Sequence, residues 1–459
     1  MKKIALSALV ALTIGSVSAT ADGVKFYADA NGQVFTHPAE GRTLINIGSN
    51  EDVKEEINKE IKQKASFSRI TVVDEKSPEF LLGKATKINM KFVADDNPNM
   101  WLKAGVRIQG TFENTRTVNN VSTNGITSIA NDAYLRRVRF EVAAGFNKWT
   151  SFVMDVRNDK ANYGVDNGEG DFNVGDAYVK IKKPFSTSLI NFKLFRAKID
   201  VSRTETVKSA RVIAYDRPKV ADAAAQYISH NRRATNAQMY GNWNKKVHYQ
   251  VAFGDATYEG KLADGRGKKD GEITSQSFFY GGKVVLSPFD GWEETKRTES
   301  YFGVGKHVAL GAAFWSVPDI KAKGVTAPGI ELNNKLLNIE ASAHYKNFFI
   351  QAEYFKFYDV VKDWNAAALT TGESSGWYAT SEYVIPSLGY IAPFIRYESW
   401  DKFETGPGDY KFTSTMGGVN WYLMGNSIKA GLTYTSEKYG VDTGDKDNDI
   451  IRLTSQFFF

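Results

Sequence analysis

Three arginines crowd the segment Tyr134-Leu135-Arg136-Arg137-Val138-Arg139-Phe140-Glu141-Val142. Val138, Phe140 and Val142 recur at period two, so on a strand they take one face and Arg137, Arg139 and Glu141 the other. A guanidinium presents a planar fork matching the oxygens of phosphate or carboxylate, and a row of such groups in water can replace part of a passing anion's hydration. Arg136 falls on the apolar phase, where a charge is tolerable only near a rim, at a β-bulge or in a subunit interface. Arg107, in the stretch AGVRIQ, and Lys193 and Arg196, in INFKLFR, join this polar set. The longest unpatterned stretch, about 197–236, is rich in cations, among them Lys198, Arg203, Lys208, Arg211, Arg217, Lys219, Arg232 and Arg233, against Asp200, Glu205, Asp216 and Asp222. Folded into a barrel, it would carry Arg203, Lys208 and Arg217 to a constriction; left outside, it is a solvated surface loop.

The other titratable residues point away from catalysis. There is no cysteine, which removes thiolate nucleophiles, thiolate metal sites and disulfides. The five histidines, His37, His230, His248, His307 and His344, have no nucleophile or paired carboxylate at motif spacing, so neither enzymatic activity nor a cofactor is expected. Gly303-Val304-Gly305-Lys306 lacks the spacing and the following Ser/Thr of a phosphate-binding loop and reads as strand glycines. A formal charge of +6, reduced to +4 without Lys2 and Lys3, is too mild for nucleic-acid binding, and only its placement can matter.

The elements that position these residues follow from pattern. Residues 1–21 have the form of a secretory signal peptide: Lys2 and Lys3, an apolar run from Ile4 to Ile14, and small residues before cleavage after Ala19 or Ala21. Residues 22–100 read as a periplasmic lead segment, with a short helix over 49–64 set by Val53, Ile57 and Ile61 and capped by Asn50. No later run approaches the roughly 18 apolar residues of a spanning helix, so a membrane span has to be made of strands.

From Trp101 onward strands are predicted near 101–113, 133–143, 149–157, 174–182, 188–196, 237–243, 246–255, 275–286, 301–314, 334–345, 347–357, 375–384, 390–400, 412–423, 426–437 and 449–459, sixteen in all. Joins after even-numbered strands are short and those after odd-numbered strands long, with Ser287–Ser300 a long join where a short one is expected. An even count with that rhythm predicts an all-β, sixteen-stranded antiparallel transmembrane barrel over 101–459, both ends on the short-turn side. In the last strand Ile451, Leu453, Phe457 and Phe459 oppose Arg452, Thr454 and Gln456. Phe152, Met154 and Val156 likewise oppose Asp155 and Arg157. Charges on the inner face predict a water-filled interior, because a dry core would not tolerate them. Trp149, Tyr397, Trp400, Trp421 and Tyr422 are expected in interfacial girdles.

At these residues the chain resembles the phosphate-selective porin O/P family of Gram-negative outer membranes. The resemblance runs through AGVRIQ, AYLRRVRFEV, INFKLFR, FFIQAEY, IRYESW, GGVNWYL and the terminal strand, in order and spacing. It implies a homotrimeric outer-membrane porin in lipid, passing small anions such as phosphate through an arginine ladder past an inward third loop. The ladder maps onto Arg107, the Arg136-Arg137 pair and Arg217. Glu205 stands where the phosphate-selective members carry a loop lysine, and a carboxylate there is expected to weaken anion attraction. The alternative is a structural or adhesive barrel without significant conductance.

Overall fold

The computed structural model describes residues 26–29, 34–35, 39–40, 42–45, 90–94, 97–118, 127–161, 172–229, 232–256, 272–289, 298–303, 306–324, 328–363, 366–405, 407–443 and 445–458. The signal-peptide segment, the helix expected over 49–64 and Phe459 lie outside them. The chain divides into two units, Met1–Ala65 and Ser66–Phe459. In the first, β1 (Phe26–Asp29) pairs antiparallel with both β2 (Val34–Phe35) and β3 (Arg42–Ile45), a small sheet not expected from the sequence pattern.

The second unit is a closed antiparallel barrel. Its strands are β4 (Met90–Val93), β5 (Trp101–Val118), β6 (Thr127–Gly145), β7 (Thr150–Ala161), β8 (Asn173–Ile181), β9 (Asn191–Lys198), β10 (Arg233–Trp243), β11 (Val247–Gly254), β12 (Glu272–Ser275) and β13 (Phe279–Leu286), followed by β14 (Lys306–Lys323), β15 (Gly329–Tyr345), β16 (Phe348–Val361), β17 (Thr371–Tyr383), β18 (Ile391–Asp401), β19 (Lys411–Asn426), β20 (Ile428–Tyr439) and β21 (Asp447–Phe458). β12 and β13 both pair with β14, end to end, and β4 and β21 both flank β5, so the wall has sixteen staves. β21 closes the ring on β5, from Asp447↔Val118 to Phe458↔Arg107. Every predicted strand overlaps a stave, but the bounds shift: the strand expected from 301 starts at Lys306, since Tyr301 and Phe302 belong to the preceding join, and the one expected from 188 starts at Asn191. β14 runs past its predicted end to Lys323, because a bulge between Val317 and Ile320 absorbs Pro318 and Asp319.

The alternation of side chains gives the two faces. Ile451, Leu453 and Phe457 are exposed on the outer face of β21, whereas Thr454 and Gln456 are buried inward. Trp149, Tyr397 and Trp421 also lie outside. Trp400 and Tyr422 do not join a girdle: their parity sends them inward, where Trp400 donates to Ser374 Oγ at 2.8 Å and the Tyr422 hydroxyl to Glu382 at 2.6 Å.

The interior is not uniformly wet. The third long loop folds its residues 199–229 into the lumen with two helical segments, α1 (Arg203–Thr206) and α2 (Lys219–Ile228). Val220, Ala221, Ala224, Ala225 and Ile228 form one stripe of α2 and pack on inward side chains of the β13–β17 wall, including Phe279, Trp315, Leu336, Phe355, Phe357 and Tyr378. Each large apolar group so buried contributes about 1.5–3 kcal/mol. A wall carboxylate holds the helix start, Val220 N donating to Glu398 Oε1 at 2.6 Å. The expectation of a water-filled interior therefore fails on this half, where strands such as β16 carry Phe355 and Phe357 on the inner phase as well.

Between α1 and α2 the loop reaches the far wall: Lys429 Nζ donates to Val212 O at 2.7 Å, Asn420 Nδ2 to Ile213 O at 3.1 Å and Gln456 Nε2 to Ala210 O at 2.9 Å. The unexpectedly long join after β13 explains itself here. Its segment Thr298–Phe302 is buried, with Glu299 N donating to Arg211 O at 3.0 Å and Glu299 Oε2 accepting from Ile213 N at 2.8 Å.

Candidate functional site

Two departures from strand regularity decide which cations reach the lumen. In the β5–β6 ladder Gln109 pairs with Arg137 and Gly110 with Leu135, leaving Arg136 as the extra residue of a bulge. The phase flips there, so Arg136 and Arg137 both point inward: Arg136 Nη1 donates to Tyr215 O at 2.6 Å, and Arg137 Nη1 donates to Gln109 Oε1 at 2.7 Å and Tyr215 O at 3.3 Å. In β9 Phe195 has φ 81°. Lys193 and Arg196, three positions apart, then both line the lumen, Arg196 Nε donating to Gly175 O at 3.0 Å.

Two cavities follow. The larger, about 1120 Å³, opens toward the long loops and is lined by twelve cationic residues against eight carboxylates. It takes in Arg136, Arg137, Arg139, Arg196 and Arg217, together with Arg157, Arg232, Arg396 and Arg452. The smaller, about 310 Å³, lies toward the short turns and holds Arg107, Lys193, Lys208 and Arg211. Arg139, Lys198, Arg217 and Arg233 line both and mark the neck between them. No carboxylate is common to both linings.

Lys198 and Arg233 are directly opposite across the β9–β10 ladder, at the root of the third loop. Like charges so placed repel. Each is compensated from the side: Arg233 Nε donates to Asp176 at 2.7 Å and Lys198 Nζ to Glu205 Oε1 at 2.8 Å. Glu205 is 1% exposed, its amide capped by Ser202 Oγ and its other oxygen 3.5 Å from Arg217 and 3.6 Å from Arg232. Burial alone would raise its carboxyl, but Lys198, Arg217 and Arg232 outweigh burial and hold it well below the usual carboxylate range. Its charge is spent on three cations, so the weakening of anion attraction expected of a bare carboxylate does not follow from this geometry.

The remaining candidates divide by position. Arg107 sits 3% exposed between Ser209 Oγ, at 2.8 Å, and Glu141. Lys208 is half exposed and bonds the other Glu141 oxygen at 2.7 Å. Arg139 grips Asp159 with Nε at 3.1 Å and Nη2 at 2.5 Å. Arg217 donates to Thr204 O and Val207 O, both at 2.8 Å, turning the loop at the neck. Arg203 borders neither cavity: it is 2% exposed and its Nη2 donates to Thr298 O at 2.7 Å, which ties the loop to the inserted join. Lys198 and Arg233 at the neck were visible only as loop charges; their signal was position, as the first and last cations of the loop. His307 and His344, scattered in sequence, are cross-strand partners in a stack with Tyr301, His344 and Tyr301 centroids lying 3.7 Å apart.

The sequence profile of the family described as phosphate-selective porin O and P matches residues 102–459. The chain belongs to this porin family. Among solved structures it is similar to the anion-selective porin from Comamonas acidovorans (TM-score 0.51, 10% identity, 78% of this chain and 99% of that one). It is similar to the outer membrane channel DcaP of Acinetobacter baumannii (0.51, 10%, 80% and 99%), and to Salmonella typhi OmpF in complex with daunomycin (0.51, 12%, 80% and 100%). At these identities the likeness is one of fold. No curated sequence matches the chain. The porin is an outer-membrane protein, and its short turns therefore face the periplasm. The larger cavity is the external vestibule and the smaller one the periplasmic chamber.

Proposed function

We propose that this porin conducts small anions by passive diffusion, phosphate and similar oxyanions included. The observation that carries the reading is the neck, where Arg139, Lys198, Arg217 and Arg233 border both cavities and no carboxylate does. An anion moving down the vestibule exchanges water for guanidinium forks at several sites in series, which favours passage over trapping. The pore-lining set is Arg107, Arg136, Arg137, Arg139, Lys193, Arg196, Lys208 and Arg217, with Arg203 as an anchor of the loop. A homotrimer, export through a signal peptide over 1–21 and a short periplasmic helix over 49–64 belong to the same reading, supported by the family and by sequence pattern. The test is single-channel recording in planar bilayers with a salt gradient and phosphate titrated into chloride. An anion-side reversal potential and a phosphate-dependent fall in chloride current are expected; a cation-side potential overturns the reading, and absence of conductance would favour an adhesive barrel.

A further inference from the structure

Asp216, midway along the third loop and just before α2, sets its carboxylate among arginines of the barrel wall. Its two carboxylate oxygens are held by different arginines, Oδ1 by Arg136 and Oδ2 by Arg452. Arg396 Nη1 donates to its backbone carbonyl at 2.7 Å, and Arg137 reaches the preceding carbonyl, Tyr215 O, at 3.3 Å. The four arginines come from three separate strands, β6, β18 and β21, and converge on two consecutive loop residues. Asp216 is not sealed in: its side chain keeps a third of its surface and lines the vestibule.

We propose that this arginine cage is an anion-binding site for small oxyanions, carboxylates or phosphate, whose resident occupant is the Asp216 carboxylate. Asp216 is then a specificity-determining residue. A passing oxyanion competes with a tethered carboxylate for the Arg136 and Arg452 forks, so it is attracted by the cage yet released from it. Without the tethered charge, Arg136 Nη2 and Arg452 Nη1 would face the vestibule and hold an oxyanion for longer, while Arg452 Nε stays on Glu113 at 2.5 Å and Arg136 Nη1 on Tyr215 O at 2.6 Å. The inference deepens the anion-pore reading and rests on it.

The experiment is chloride conductance of Asp216→Asn in planar bilayers with phosphate or acetate titrated in, beside Asp222→Asn, which removes one charge from the same vestibule at the Arg232 pair. Expected for Asp216→Asn is a fall of about tenfold in the oxyanion concentration that halves the current, the order set by freeing charged hydrogen bonds. Asp222→Asn should leave that concentration within about twofold of wild type. An equal response in the two variants means that net charge alone is at work and overturns the site. Wild-type channels without anion preference overturn the pore reading instead, a distinct result. A second variant, Asp216→Cys, is the only cysteine in the chain. Alkylated after assembly, it should regain wild-type block with a carboxylate-bearing reagent and not with a neutral one. Failure of both variants to assemble would make Asp216 a folding element of the loop and overturn the proposal.

Discussion

Replacing Glu205 by lysine restores the residue type that the phosphate-selective members carry, and sequence comparison alone predicts stronger anion attraction. The geometry predicts the reverse. Glu205 lies 2.8 Å from Lys198 Nζ, 3.5 Å from Arg217 Nε and 3.6 Å from Arg232 Nη1, in a site 1% exposed. At an effective dielectric of about 20, two unit charges ~4 Å apart interact by ~4 kcal/mol, so reversing the sign swings each contact by ~8 kcal/mol before relaxation. The hydrogen bonds that fix the loop to the far wall, such as Lys429 to Val212 O and Asn420 to Ile213 O, are worth about 1–3 kcal/mol each. Repulsion wins, and the loop leaves its seat.

The expected phenotype of Glu205→Lys is a larger, noisier conductance with reduced ion selectivity, read in planar bilayers, in protein that still runs as a heat-modifiable barrel on gels. Glu205→Gln is the control. Its amide oxygen can still accept from Lys198, the loop stays seated, and the neck gains one net positive charge, so the reversal potential should move further to the anion side. A Glu205→Lys channel with wild-type conductance and sharper anion selectivity or phosphate block would refute the argument.

Arg137→Glu replaces a vestibule cation bound to Gln109 and the Tyr215 carbonyl and should move the reversal potential toward the cation side; an unchanged potential would remove Arg137 from the conduction path. Ala224→Asp places a charge in the fully buried face of α2, at a cost of several kcal/mol, and should lower the temperature at which the current becomes noisy, while a silent substitution would mean that the dry half of the lumen is not packed. Glu299→Ala removes the acceptor of Ile213 N at 2.8 Å and should raise open-channel current fluctuations with selectivity retained. The pH dependence follows from Glu205 and Asp216. Burial raises both carboxyls, but the surrounding cations outweigh it and hold both below the ordinary carboxylate range. Their contribution to seating the loop is therefore complete above about pH 4, where the unfolded groups titrate, and is lost only as pH falls through the lower folded values. Glu205→Gln and Asp216→Asn should therefore leave the shape of the conductance–pH curve between neutral pH and about 4 as in wild type, and a wild-type transition in that range that either substitution abolishes would contradict the paired geometry.

The wall was legible because period-two alternation is a local property: each of the sixteen strands could be found from its own side chains. Arg136 shows where that ends. Alternation put it on the outer phase and named a bulge as one escape, but the bulge is fixed by the Gln109↔Arg137 register with β5, a non-local pairing. The dry half of the lumen was hidden for the same reason. Phe355 and Phe357 are inward apolar residues whose partners, Val220 and Tyr227 among them, are more than a hundred positions away in a loop with no strong pattern. Trp400 and Tyr422 were misassigned because aromatic type suggested the membrane interface, when parity already sent them inward. Glu205 misled through charge sign: its neutralisation depends on Lys198 and Arg232, the two ends of a loop that closes only when β9 and β10 pair.

The dry half bears on conduction as well as stability. A barrel of sixteen staves enclosing only water would screen wall charges within about 8–10 Å at ordinary ionic strength. Here α2 and the Phe279, Trp315 and Phe355 side of the wall form an apolar mass beside the path, and low-dielectric walls concentrate the field of adjacent charges. Along the path carboxylates are tied to cations: Asp159 to Arg139, Asp222 to Arg232, Glu437 to Lys219, and Asp216 to Arg136 and Arg452. Arg137, Arg196 and Arg396 are instead held by carbonyl or amide oxygens, which orient a guanidinium without cancelling its charge. Filling one side of the lumen therefore narrows the pore and strengthens the potential of the arginines on the other, so the apolar stripe of α2 and the arginine wall act on the same ion.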